Sequence, residues 1–227
     1  MSIEVQKLSK YYQEQLALDE VSFKVNSGEI VGFLGPNGAG KSTTMKIISC
    51  FIKPSSGNVL VDGVSIHENE IAVKTKIGYL PENNPLYEEM YVRESIAFIA
   101  QIHKVEDVKS SVEEVIEKVG LTKEAHKKIG QLSKGYQQRV GIAQAIVHDP
   151  EVLILDEPTS GLDPNQLEDI RALIKELGRN KTVMLSTHIM QEVESICDRI
   201  VVINNGKIVA DRNLENTEIP TENPKEQ

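Results

Sequence analysis

The chain has 227 residues, of which 40% are hydrophobic and 26% charged, enough for a self-supporting core in one large domain. Its net charge of −9 repels phosphate backbones and argues against nucleic acid as a partner. No run reaches the roughly 18 apolar residues that a membrane span needs, and Cys50 and Cys197 are too few for a disulfide frame or a cysteine metal site.

Taken in chain order, Ile3 to Leu8, Val21 to Val25 and Val59 to Val61 alternate apolar and polar residues, which predicts a half-exposed antiparallel layer. Between them Ile30 to Leu34 is a short apolar run, as are Val152 to Leu155 and Val183 to Leu185 further on. Such runs, each ending in polar residues or glycine, predict buried strands with chemistry at their carboxyl ends. From about Pro85 to Lys128 the period becomes helical, with Val108, Val112, Val115, Ile116 and Val119 on one face and Gly120 placed to end it. Asn205-Gly206 between Ile200–Ile203 and Lys207–Ala210 is a two-residue hairpin signal. After Asp211 the chain is polar and carries Pro220 and Pro224, so 212–227 reads as a disordered tail. The start, MSIEVQKLSK, lacks the apolar stretch of a signal peptide, and the expected location is the cytoplasm.

Gly35-Pro36-Asn37-Gly38-Ala39-Gly40-Lys41-Ser42 fits the phosphate-loop pattern G-x-x-x-x-G-K-[ST]. It follows a predicted strand and precedes Thr43 to Ile48, which can continue as a helix. Glycines let successive N–H groups converge on phosphate oxygens, and the helix adds the positive end of its dipole. Lys41 is expected on the β- and γ-phosphates and the Ser42 hydroxyl on Mg²⁺. The fold expected is therefore α/β, a P-loop NTPase core of mostly parallel strands flanked by helices. It carries the antiparallel side layer and, at about 85–145, an inserted helical subdomain within a domain covering 1–211.

At the end of the second buried strand stand Asp156 and Glu157. Adjacent side chains there point in different directions, so Asp156 is expected to serve the metal and Glu157 to orient or deprotonate an attacking water. Ser133, in Leu132-Ser133-Lys134-Gly135-Tyr136-Gln137-Gln138, is a good N-cap for a helix through about Val147, and Gly135 permits close approach of a bulky group.

With the phosphate loop, this stretch and the Asp-Glu strand in that order, the chain resembles the ATP-binding cassette (ABC) ATPases from about Ser2 to Asp211. The resemblance implies that Ser133 and Gly135 cap the ATP held by another subunit, in a head-to-tail dimer of two copies or of two related chains. It implies that Tyr12, ahead of neighbouring Tyr11, stacks on adenine, that Thr43 continues the phosphate loop, and that Asp163 of Ser160-Gly-Leu-Asp163 crosses the dimer interface. His188 would contact the γ-phosphate. Integral membrane transporter subunits are the implied partners, with this chain peripheral on the inner face of the membrane.

The sequence departs from the family at Glu82, where glutamine is usual; an ionised glutamate only accepts hydrogen bonds, though it can still approach Mg²⁺. Lys134 stands where glycine is common, and either lends charge to the partner's ATP or faces water. Glu82 to Glu94 looks like the branch serving export-type transporters with separate membrane subunits, and Ala125 to Gly135 looks close to the branch associated with bacterial gliding motility. A soluble ABC module without a membrane partner is the alternative. A single cassette without a heptad arm is unlike the relatives acting in translation or DNA maintenance, and no Asn-Lys-x-Asp stretch exists for reading guanine.

Overall fold

The computed structural model describes residues 2–214; the segment expected to be a disordered tail lies, from 215 onward, outside the described residues. Alternation early in the chain builds a hairpin from β1 (Ile3–Tyr12) and β2 (Gln15–Val25). After β3 (Ile30–Leu34) has entered a second sheet, β4 (Ser56–Val61) and β5 (Val64–Ser65) complete the first. That first sheet is antiparallel throughout, in the order β2-β1-β4-β5.

The second sheet has the order β10-β9-β3-β8-β7-β6. Its strands β6 (Ile77–Leu80), β7 (Val152–Asp156), β8 (Thr182–Thr187) and β9 (Arg199–Asn204) run parallel with β3, and only β10 (Lys207–Asn213) is antiparallel, through the Asn205-Gly206 turn. Both turn residues have positive φ, 47° and 73°, as a type I′ hairpin demands. The expected α/β fold with an antiparallel side layer is what the chain adopts.

Helices α1 (Lys41–Ile48) and α2 (Glu70–Lys76) precede β6. Between β6 and β7 the chain forms α3 (Val92–Ile102), α4 (Val108–Lys118), a 3-10 turn at Ile129–Gln131 and α5 (Lys134–Ile146). The α4 face Val112, Val115, Ile116 with Val119 is buried as the periodicity required, and Asp107 caps the helix by accepting from Ser110 N–H at 3.0 Å. Helices α6 (Pro164–Gly178) and α7 (Met190–Ile196) fill the remaining connections.

The six-stranded sheet divides the core. Leu153, Leu155, Val183 and Leu185 face the helices, whereas Val31, Phe33, Val152, Ile154 and Met184 face α1 and the antiparallel sheet. Each fully buried side chain of this kind contributes about 1.5–3 kcal/mol, so strands apolar on both faces are firmly fixed. Phe33 meets Phe23 across the sheets at 5.3 Å between ring centroids. Both cysteines are free thiols; burial pushes Cys197 up to about 12 and Cys50 up to about 11, so both stay protonated.

His148 and His103 stack at 3.7 Å beside β6, with His148 Nε2 donating to the Ile77 carbonyl at 3.2 Å. Burial, then the neighbouring His103, push His148 down from 6.5 to about 4, and burial pushes His103 down as well. Between pH 6.5 and about 4 the unfolded chain therefore binds more protons than the folded one, and stability falls as pH falls through that window. Replacing His148 by glutamine, which keeps a donor for Ile77, is expected to flatten the dependence of Tm on pH there. Thermal melts at intervals from pH 7 to 4.5 check it; parallel curves for the two proteins would refute the assignment.

Candidate functional site

Parallel pairing brings the carboxyl ends of β3, β7 and β8 to one edge. Leu34 lies opposite Thr187 and Asp156 opposite Ser186. From β3 the chain turns directly into the phosphate loop, where Gly40 has φ +110°, a conformation that a side chain resists, and a Cβ there would sit 2.7 Å from Leu18. Among the described residues no side chain caps α1, so the N–H groups of Lys41, Ser42 and Thr43 remain open to an anion.

Lys41 is only 6% exposed. Its ammonium donates to the Gly35 and Pro36 carbonyls at 2.8 and 3.3 Å and lies 3.3 Å from Glu157 Oε1. Gly35, Pro36 and Ala39 thus shape the loop from behind. Asn37, Gly38, Gly40, Lys41, Ser42 and Thr43 line a cavity of about 550 Å³, together with Tyr12, Glu82 and Glu157. That volume suits a ligand of nucleotide size. Tyr12 reaches this wall, with Lys10 Nζ 5.3 Å from its ring centroid, and Tyr11 does not.

The two carboxylates after β7 are handled differently. Asp156 is fully buried; its Oδ1 accepts from the Ser42 hydroxyl at 3.1 Å and the Ser186 hydroxyl at 2.6 Å. Its Oδ2 is buried with no hydrogen-bond partner among the described residues. A buried carboxylate oxygen left so is costly unless a cation meets it. Glu157 has φ +49°, which costs a non-glycine residue about 1–3 kcal/mol. The Ser186 hydroxyl accepts its N–H at 2.9 Å and so helps hold that conformation. The reversed backbone swings Glu157 into the cavity, between the Lys41 ammonium and His188 Nδ1 at 3.0 Å. Lys41, Glu157 and His188 therefore form one chain of contacts, of which Lys41 and Glu157 line the cavity and His188 lies behind Glu157, outside the lining.

Ser133, Gly135 and Asp163 lie apart from it, and none lines the cavity. Ser133 caps α5, accepting from Tyr136 N–H at 3.5 Å, and Asp163 caps α6, accepting from Gln166 N–H at 3.0 Å. Gln166 joins the two caps, donating to the Ser133 hydroxyl at 3.3 Å, and a Cβ on Gly135 would sit 2.5 Å from its side chain. Lys134 reaches over Gly161 of the same loop.

A family model described as "ABC transporter" matches residues 18–160. The chain belongs to the ABC transporter family. Among relatives of this ABC ATPase, the uncharacterized ABC transporter ATP-binding protein YhcH of Bacillus subtilis is 39% identical over 96% of this chain and 72% of its own. The bacitracin transport ATP-binding protein BcrA of Bacillus licheniformis is 41% identical, covering 91% of this chain and 68% of its own. A dimeric post-hydrolysis state of the ATP-binding cassette MJ0796 bound to ADP and Pi superimposes with a TM-score of 0.85 at 28% identity, covering 93% of this chain and 98% of that one. As a member of this family the protein binds and hydrolyses ATP. None of the helices among the described residues is long and apolar enough to cross a membrane.

Several wall residues escaped the sequence reading: Gln15, Leu16, Ala17, Asn205 and Gly206. The hairpin turn is legible in the sequence, but its place at the cavity depends on the Gly206 carbonyl accepting from Asp19 N–H of β2 at 2.9 Å. Gln166 belongs to no motif read there either.

Proposed function

We propose that the chain is the ATP-driven subunit of an export-type transporter whose membrane-spanning part is a separate polypeptide. Two copies, or this chain and a related one, close head to tail around two ATP molecules. The observation that carries this reading is the separation just described: the cavity holds the hydrolytic groups, whereas Ser133 and Gly135 present their lip elsewhere. A second copy must supply that lip, and the dimeric state of the neighbouring cassette agrees with it.

Within one site, Tyr12 stacks on the base, and Asn37, Gly38, Gly40 and Thr43 surround the phosphates with Lys41. Asp163 lies at the seam between the copies. Glu157 accepts the proton of the attacking water, and His188, bonded to Glu157, orients toward the γ-phosphate. The hydroxyl of Ser42 and the unpartnered Oδ2 of Asp156 are hard oxygen donors that fit Mg²⁺, with Glu82 within the same cavity. When bound, the ion neutralises charge on the phosphate oxygens.

The membrane subunits take up the motion through the surface near Glu82 and the helices that follow. A groove of about 580 Å³ lies there, lined among others by Ile71, Pro81, Ile99 and Ile102, with Ile71 77% and Ile102 58% exposed. Apolar side chains left this open mark a contact surface. The chain then works on the cytoplasmic face, peripheral to the membrane and without nucleic acid. The relative named for bacitracin transport supports a role in transport; the export-type reading rests on the segment Glu82 to Glu94, and the likeness to the gliding-motility branch on the 125–135 segment. Detergent extracts of the native host test the reading: the tagged chain is expected to retain an integral membrane protein, and its recovery without one refutes the transporter assignment.

A further inference from the structure

Glu192, in the first turn of α7, is 1% exposed, and no cation pairs with it among the described residues. Its two oxygens are divided between two loops. Oε1 accepts from the Thr159 hydroxyl at 2.6 Å and Oε2 from the Thr187 hydroxyl at 2.5 Å. Both threonines are buried, at 5% and 0% exposure. Thr159 opens the turn that carries Ser160 to Asp163, and its carbonyl accepts from Leu162 N–H at 3.3 Å. Thr187 ends β8 beside His188; its hydroxyl accepts from Ile189 N–H at 3.1 Å, and its carbonyl accepts from Gly35 N–H of the phosphate loop at 3.4 Å.

A buried carboxylate without a cation is a poor means of holding a fold together. Apolar residues of like volume commonly stabilise such a site as well or better. Charge-assisted bonds are stronger and more directional than neutral ones, so what Glu192 adds is a fixed relation between the two loops. One loop leads to His188 and Glu157, where the phosphates react. The other leads to Asp163 and, through Gln166, to the lip at Ser133.

We propose that Glu192 is a positioning residue that couples the Thr159–Asp163 loop to the His188 loop, so that closure against a second copy and engagement of the γ-phosphate favour each other. The inference rests on the reading that two copies close around ATP. Glutamine at this position keeps the shape but offers one neutral acceptor oxygen and an amide donor, so both threonine hydroxyls lose a charged acceptor and one of them faces N–H instead. Thr159→Val cuts one arm alone, whereas Thr187→Val cuts the other and also removes the acceptor of Ile189 N–H at the start of α7, so its Tm is read beside its kinetics.

The test uses the full chain and measures ATPase kinetics, ATP-dependent dimerisation by analytical ultracentrifugation, and Tm. Glu192→Gln is expected to lower kcat about tenfold or more, to reduce the Hill coefficient for ATP toward 1, and to leave the ATP affinity of the monomer within about twofold. Because both arms serve one link, the double threonine variant is expected to be no worse than Thr187→Val alone. Unchanged kcat and cooperativity in Glu192→Gln, strictly additive threonine effects, or losses that merely follow the folded fraction would each overturn the proposal. If the wild-type chain fails to dimerise even with a non-hydrolysable ATP analogue, the two-copy reading itself falls and takes this inference with it. A dimerising wild type beside a normal Glu192→Gln sinks the inference alone.

Discussion

Glu157→Gln is expected to reduce ATP turnover by about 10²–10⁴-fold, the contribution of a positioned general base, while ATP stays bound and the dimer stays closed. The amide matches the carboxylate in shape and can still accept from Lys41 or His188, but it does not take a proton from water at neutral pH. Nothing in the change weakens the grip on phosphate. Lys41 keeps its bonds to the Gly35 and Pro36 carbonyls and loses the carboxylate 3.3 Å away, which competes with ATP for the ammonium. Affinity for ATP is therefore expected to hold or rise. The left-handed backbone at residue 157 is retained, since glutamine meets the same steric cost there as glutamate. Turnover assays with size-exclusion chromatography in ATP check both halves, and normal turnover would remove Glu157 from the mechanism.

What the sequence made legible were features written in contiguous residues. The phosphate loop is read from eight contiguous positions, and Gly38 and Gly40 there take the positive φ that the turn itself requires. The buried strands show themselves because residues such as Val152 to Leu155 are apolar on both faces. The hairpin at Asn205-Gly206 is likewise a property of two residues. By contrast, the bond from Ser186 to Asp156 exists only because β7 and β8 are paired in one register, and no local pattern encodes that. Gln166 looks like any polar residue in the first turn of α6 until α5 is set beside it. Glu192 reads as a solvated acid on a helix, since its burial comes from loops that meet it from distant parts of the chain. Side chains that only connect one motif to another carry no signature of their own.

The same division between local and distant structure makes Ser133→Arg the sharpest test of the dimer. Ser133 is exposed and lines no part of the cavity in its own chain. ATP affinity of the monomer is therefore expected to stay within about twofold of wild type. In a closed pair the arginine would fill the space above the other copy's phosphates and displace the lip, and a misplacement of even 1 Å can cost about a hundredfold in rate. Turnover is expected to drop by at least that much, and the ATP-dependent dimer to vanish from ultracentrifugation profiles. Loss of the α5 cap alone would cost about 1 kcal/mol, so Ser133→Ala serves as the control, with slightly lower Tm and an intact dimer. If Ser133→Arg still dimerises with ATP, the serine lip does not act across the interface.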